Sequence, residues 1–313
     1  MTLAAVTQLL PSLTRLGTRV ALISGGEPLL NPEWPAIAQL LKTCGLKLWL
    51  LTSGLSLAKH ARRVTELFDA ITVSLDGTNR GTYEAIRGLD AFDNVCAGIR
   101  AAAAAGAPVS VRVTVQRANY RQLPDFVGLT RQLGAHQVSF LAVDVANPHA
   151  FGRTDDFGAD VALRADDLPA LEQVLRSMEE AHAEAFRSGF ISENPHKLRR
   201  IHQYFAALHG YARYPPVRCN APEFSAVVGA KGQVQPCFFI SGPADSVPRW
   251  DLIDGLNTDA MIALRGAIRA GERPECLTCV CSMWRDPDTV DTSILSRRPH
   301  ERSALTISSG GIA

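Results

Sequence analysis

Two groups of residues in this sequence have the types and spacing to do chemistry. In the first, Cys219 is followed by Cys237 after 17 residues, and Cys276, Cys279 and Cys281 then fall within six positions of one another. Thiolates are soft, strong metal ligands. A β-hairpin between Cys219 and Cys237 would fold the first sulfur back towards the second, and the later group supplies further thiolates, so four sulfurs can converge on one centre. Both an iron–sulfur cluster and a structural zinc ribbon satisfy that spacing. The second group is Ser24-Gly25-Gly26-Glu27-Pro28, directly after a β-rich segment. Two glycines let the backbone approach a ligand closely, and the N–H and C=O groups at a strand end can hold an amino-acid ammonium and carboxylate. Arg112 adds a cation on the polar face of Val109–Val115, a strand whose other face is all valine, so its charge needs a partner or an escape to solvent.

Other reactive side chains read as bland. Cys44 continues the helical row Trp34, Ile37, Leu41, and Cys96 lies beside Val95 and Ile99, so both are expected to be buried small hydrophobes. The eight histidines lack metal spacing. Asp144, just past the last strand, reads as a solvated loop carboxylate.

The elements that must position these residues follow from periodicity. β-rich segments recur at Arg19–Ile23, Lys47–Leu51, Ala70–Leu75, Val109–Val115 and Gln137–Leu141. Amphipathic helices are predicted at Trp34–Cys44, Leu57–Phe68, Phe92–Ala105 and Gln122–Leu133. Such alternation predicts a parallel sheet covered by helices, open or rolled into a barrel, with reactive residues where the strands end. From 147 to 216 the pattern becomes helical, chiefly Leu168–Ser188 and Pro195–Leu208. Beyond Cys219 a hairpin about Lys231-Gly232 joins Phe224–Val228 to Gln233–Phe238, with Pro236 confining its second strand to an edge. After Arg285 a polar stretch reads as a disordered tail.

The 313 residues carry 32 basic and 31 acidic side chains with 46% hydrophobic content, which argues for a large core and against nucleic acid or an anionic membrane as partner. No apolar run approaches the roughly 18 residues of a membrane helix. The N-terminus, with Leu3, Leu10, Leu13 and Leu16 at helical spacing and its first basic residue at Arg15, is the wrong order for a signal peptide. A cytoplasmic location is therefore expected, where seven cysteines point to metal rather than disulfides.

Taken in order, Ser24-Gly25-Gly26-Glu27-Pro28, Leu50-Leu51-Thr52-Ser53-Gly54, Thr72-Val73-Ser74-Leu75-Asp76-Gly77, Tyr83-Glu84-Ala85-Ile86-Arg87-Gly88 and Val109–Gln116 followed by Asn119 resemble the radical S-adenosylmethionine superfamily. The resemblance covers about residues 19 to 285 and implies a partial (β/α)6 barrel of the TIM type. It implies that Gly25, Gly26 and Glu27 hold the methionine end of the cofactor, and that Ser74 and Arg112 reach its ribose or carboxylate. The terminal cysteines look like the auxiliary-cluster domains called SPASM or twitch. Five cysteines are too few for two clusters, so the resemblance implies one auxiliary [4Fe–4S] site with Cys219, Cys237, Cys276 and Cys279 as ligands and Cys281 as spare or alternative.

In that superfamily the catalytic cluster is bound by Cys-x3-Cys-x2-Cys ahead of Gly-Gly-Glu-Pro, whereas the 24 residues before Gly25 hold no cysteine. Thr2–Leu16 reads as the helix after that loop. The first barrel strand and its ligand loop are thus expected to be cut away, leaving Arg19–Ile23 as an edge and the chain as written inactive. The expected organisation is a barrel over 1–146, a helical insert over 147–216, an auxiliary-cluster domain over 217–285 and the tail over 286–313. With a catalytic [4Fe–4S] cluster restored, the implied activity is generation of a 5′-deoxyadenosyl radical that abstracts hydrogen from a peptide or small cofactor precursor. The implied electron source is a low-potential donor such as flavodoxin or ferredoxin. The alternatives are an inactive barrel that binds a small molecule and a zinc-stabilised interaction module.

Overall fold

The computed structural model describes residues 1–147, 160–240, 251–290 and residue 295. Within 19–216 five strands form one parallel sheet in sequence order: β1 (Val20–Ile23), β2 (Lys47–Thr52), β3 (Ala70–Ser74), β4 (Val109–Val115) and β5 (Gln137–Ala142). Helices α2 (Trp34–Thr43), α3 (Leu57–Leu67), α4 (Arg80–Arg87), α5 (Phe92–Ala104) and α6 (Leu123–Gln132) alternate with them. This is the helix-covered parallel sheet that the alternation predicts, in the partial TIM-like barrel form that the resemblance implies. Leu48, Leu50, Ile71, Val73 and the four valines of β4 are fully buried. Each contributes about 1.5–3 kcal/mol by leaving water.

Face assignment follows from one glycine. A Cβ on Gly54, whose φ is +82°, would lie 2.8 Å from Val73 Cγ1 and 3.0 Å from Val95 Cγ1, so only glycine lets α5 close onto β3. Val73 and its neighbours of like parity therefore face the helices. Ser74, paired with Arg112, which in turn pairs with Ser139, faces the other way. β1 lies at the sheet edge, with Val20, Leu22 and the adjacent Trp49 of β2 exposed.

The helical stretch after β5 packs with this sheet. It comprises α7 (Leu168–Ala181), α8 (Ala183–Arg187) and α9 (Pro195–Leu208), so the single helix predicted over Leu168–Ser188 is broken at His182, where φ is −120° and ψ is 28°. The break returns the chain to β5, where Ile191 bridges Val138 in parallel and Glu193 accepts hydrogen bonds from Phe140 N and Ser139 Oγ, both at 2.8 Å.

A second compact unit combines residues 1–18 with those from 217 onward. Helix α1 (Leu3–Arg15) is capped by Thr2, whose hydroxyl accepts from Ala5 N. Its Leu9 joins Val234, Leu252, Leu256 and Met261 in one core. These come from the hairpin β6 (Val227–Val228) and β7 (Val234–Gln235) and from helices α11 (Leu252–Leu256) and α12 (Asp259–Arg269). The unit also holds the short helices α10 (Ala221–Phe224) and α13 (Pro274–Leu277). α1 is thus grouped by contacts with the cysteine-bearing segment, although its sequence position suggested the barrel. Of the tail expected to be disordered, Pro287–Thr289 forms a 3-10 turn capped by Asp286. Residues 291–294 and 296–313, and residues 148–159 of the helical insert, lie outside the described residues.

Candidate functional site

At the end of β1 the chain turns through Gly25 and Gly26, at φ 85° and 53°. Nothing lies within 4 Å of where a Cβ would stand on either residue. The turn is a cradle with open space in front of its backbone. Glu27 fixes it from behind. Its Oε1 accepts from Thr52 Oγ at 2.7 Å and Leu29 N at 3.1 Å, and its Oε2 accepts from Ser53 N at 2.8 Å and from the Ser53 hydroxyl. The carboxylate therefore ties the β1 turn to the β2 turn.

On the inner face, Ser74 at the end of β3 stands opposite Arg112. Arg112 is half-buried, and its Nε is buried with no hydrogen-bond partner among the described residues. An anion arriving on this face would find an unpaired donor. Beneath it, Asp76 Oδ1 accepts from Thr114 N at 2.7 Å, and Asp76 Oδ2 pairs with Arg87 at 2.5 Å. Burial pushes the Asp76 carboxyl above the usual range, with Arg87 and the Thr114 amide opposing that rise. Asn119, fully buried, donates to Asp76 O and Thr114 O and so locks the ends of β3 and β4 together. The wiring of Thr52, Ser53, Asp76 and Arg87 escaped the sequence reading. Its only signal was polar residues directly after each strand.

In the second unit all five clustered cysteines are half-buried. Cys219, Cys237 and Cys281 lie near enough for charge on them to act on Cys279, and Cys237 and Cys219 act likewise on Cys276. Burial pushes the Cys276 thiol up to about 11 and raises Cys237 and Cys279 as well. Backbone amides already point at three sulfurs. Phe239 N and Ile240 N donate to Cys237, Cys281 N to Cys279 at 3.4 Å, and Met283 N to Cys219 at 3.5 Å. Among the described residues, no three His, Cys, Asp or Glu side chains form a group that could hold a metal ion.

Two expectations change and one holds. Cys44 is exposed, because α2 ends at Thr43 and Cys44 caps it on the way to Gly45. Cys96 is buried as predicted, with its thiol pushed up to about 11 by burial. Asp144 is 3% exposed rather than solvated, because Ala146 N and Asn147 N donate to its Oδ1 within the turn.

Residues 1–129 match the sequence model of the Radical SAM superfamily. The match covers 129 of the 313 residues, and over them the chain is similar to that superfamily. Over 159 residues the chain is 34% identical to a probable GTP 3′,8-cyclase of Saccharolobus islandicus, a match covering 50% of this chain and 49% of that protein. It is 33% identical over 133 residues to the AdoMet-dependent heme synthase of Methanosarcina barkeri, covering 40% and 38%. The chain therefore spans about half or less of these curated relatives. Among solved structures, anSMEcpe with bound AdoMet and Cp18Cys peptide superposes with a TM-score of 0.62 at 13% identity, over 89% of this chain and 80% of that one. Streptococcus suis SuiB bound to S-adenosylmethionine gives 0.62 at 12% identity, over 95% and 71%. These likenesses show that the chain shares the fold of those proteins.

Proposed function

We propose that this protein acts as a radical S-adenosylmethionine enzyme on a peptide or small-molecule substrate, with an auxiliary [4Fe–4S] cluster held by its C-terminal cysteines. The observation that carries the cofactor assignment is the buried, unpartnered Nε of Arg112 on the inner face, opposite Ser74. In this reading the Gly25–Gly26 backbone receives the amino-acid end of the cofactor, and Arg112 with Ser74 takes a carboxylate or ribose. Glu27 acts one step back, holding the glycine turn open. Bound next to a reduced catalytic cluster, the cofactor supplies a 5′-deoxyadenosyl radical that abstracts a substrate hydrogen. The chain's own task is to hold the reacting C–H in place and exclude water. The 313 residues hold no Cys-x3-Cys-x2-Cys, so by themselves they are proposed not to cleave the cofactor.

The neighbour SuiB has been solved with its precursor peptide SuiA, and anSMEcpe with peptides, which favours a peptide substrate here. The curated relatives favour a small molecule instead. For the cysteine site a cluster is favoured over zinc. What favours it is the similarity of residues 1–129 to the radical SAM superfamily, together with a donor set made of cysteines alone, in which Cys219, Cys237 and Cys281 lie near Cys279.

Calorimetry tests the cofactor site: Arg112→Ala and Gly26→Val are expected to weaken S-adenosylmethionine binding, and unchanged affinity in both would overturn the assignment. Activity is tested on a chain extended upstream to include Cys-x3-Cys-x2-Cys. It should yield 5′-deoxyadenosine with dithionite, and failure to exceed a protein-free control would overturn the enzyme reading.

A further inference from the structure

The loop that carries Cys219 is held by a side chain no ligand-spacing argument points to. Asn220 is 7% exposed. Its Nδ2 donates to Arg285 O at 2.8 Å, its Oδ1 accepts from Arg285 N at 2.9 Å, and its own backbone N donates to Met283 O at 2.9 Å. One residue thus pairs 283–285 against 219–220 as a strand would. Stacking on either side reinforces the pairing: the Arg218 guanidinium lies 3.8 Å from the Trp284 ring centroid, and that of Arg285 lies 4.6 Å from the Phe224 ring centroid. The product of the arrangement is the Met283 N–H aimed at Cys219 Sγ.

An amide aimed at a thiolate ligand stabilises charge on the sulfur. Since the reduced cluster carries one more negative charge than the oxidised one, such a bond raises the reduction potential. We propose that Asn220 is a positioning residue that sets the Met283 amide on Cys219 and thereby tunes the potential of the cluster held there. This rests on the auxiliary-cluster reading above. Asn220 itself touches no sulfur; it acts through the register of 283–285. Truncation should release the amide, lower the potential and loosen the hold of Cys219.

The full chain and its Asn220→Ala, Asn220→Asp and Met283→Pro variants are reconstituted anaerobically with iron and sulfide. Iron content, the midpoint potential from an EPR-monitored titration and the rate of iron release to a chelator are then compared. Asn220→Ala is expected to titrate at a more negative potential and release iron about tenfold faster. Asn220→Asp keeps the acceptor for Arg285 N and should fall between it and wild type. Met283→Pro removes the N–H, while also fixing φ and replacing the side chain, and should reproduce the fall in potential with Asn220 intact. If Asn220→Ala takes up no iron, the potential of Asn220→Asp decides. Variants matching wild type in both potential and release rate would overturn the role of Asn220 while leaving the cluster standing. Wild type that binds no iron and sulfide would instead overturn the cluster reading itself.

Discussion

Both carboxylate oxygens of Glu27 are engaged by the neighbouring turns. Glu27→Ala removes a charged acceptor from four donors and is expected to lower stability by about 1–3 kcal/mol in urea titrations. Glu27→Gln, which keeps one oxygen, should lose less. The cysteines differ as sharply. In the metal-free protein at pH 8, Cys44 is exposed and should react with iodoacetamide first, whereas burial holds the Cys276 thiol up to about 11 and leaves little thiolate there. Mass spectrometry of labelled peptides checks that order, and labelling of Cys276 should accelerate only as pH approaches 11. The sequence identified Gly25, Arg112 and the five clustered cysteines as candidates because residue type and spacing suffice for that. It could not show that Glu27 faces Thr52 and Ser53, since that depends on how two turns meet, nor that Cys44 falls outside the helix whose row it continues.

At the scale of elements, periodicity was a good guide because β2, β3 and β4 each have a face with buried residues at alternate positions. β4 spans the predicted Val109–Val115, and the helices Trp34–Thr43 and Leu57–Leu67 end within one residue of expectation. α4 went unread because its eight residues hold a single buried side chain, Tyr83, and so give no apolar stripe. The junction of α1 and α11 is polar and titratable. Ser12 Oγ donates to Asp251 Oδ1 at 3.1 Å and accepts from Leu252 N at 3.1 Å, while Asp251 caps α11. Burial alone would raise the Asp251 carboxyl, but bonds from Asp254 N, Ser12 and Ile253 N hold it below its ordinary value of 3.8. A depressed folded-state value means that its contribution is present above pH 3.8 and is lost as pH falls through the folded value. Asp251→Asn should therefore flatten the acid limb of the stability curve, and Ser12→Ala should weaken it, both read from unfolding midpoints between about pH 2 and 5.

For the whole molecule, the partition into two compact units was the least legible feature, because nothing local in Leu3–Arg15 says which distant core its apolar stripe will join. Leu9, 5% exposed, packs in the core that supports the cysteine segment. Leu9→Ala is expected to cost about 2–4 kcal/mol. Hydrogen exchange should locate the loss, with faster exchange across residues 251–269 and unchanged protection in β2, β3 and β4. Uniform acceleration in all of them would contradict the partition. The same helix has a history in the cell. Ser12 waits for a partner 240 residues further along the chain. At synthesis rates of roughly 5–20 residues per second that is a delay of about 10–50 s. Throughout it, Val6 and Leu9 face water on a ribosome-bound chain, ready to be held by a chaperone or to bind the wrong surface. This helix is thus made long before the core it joins.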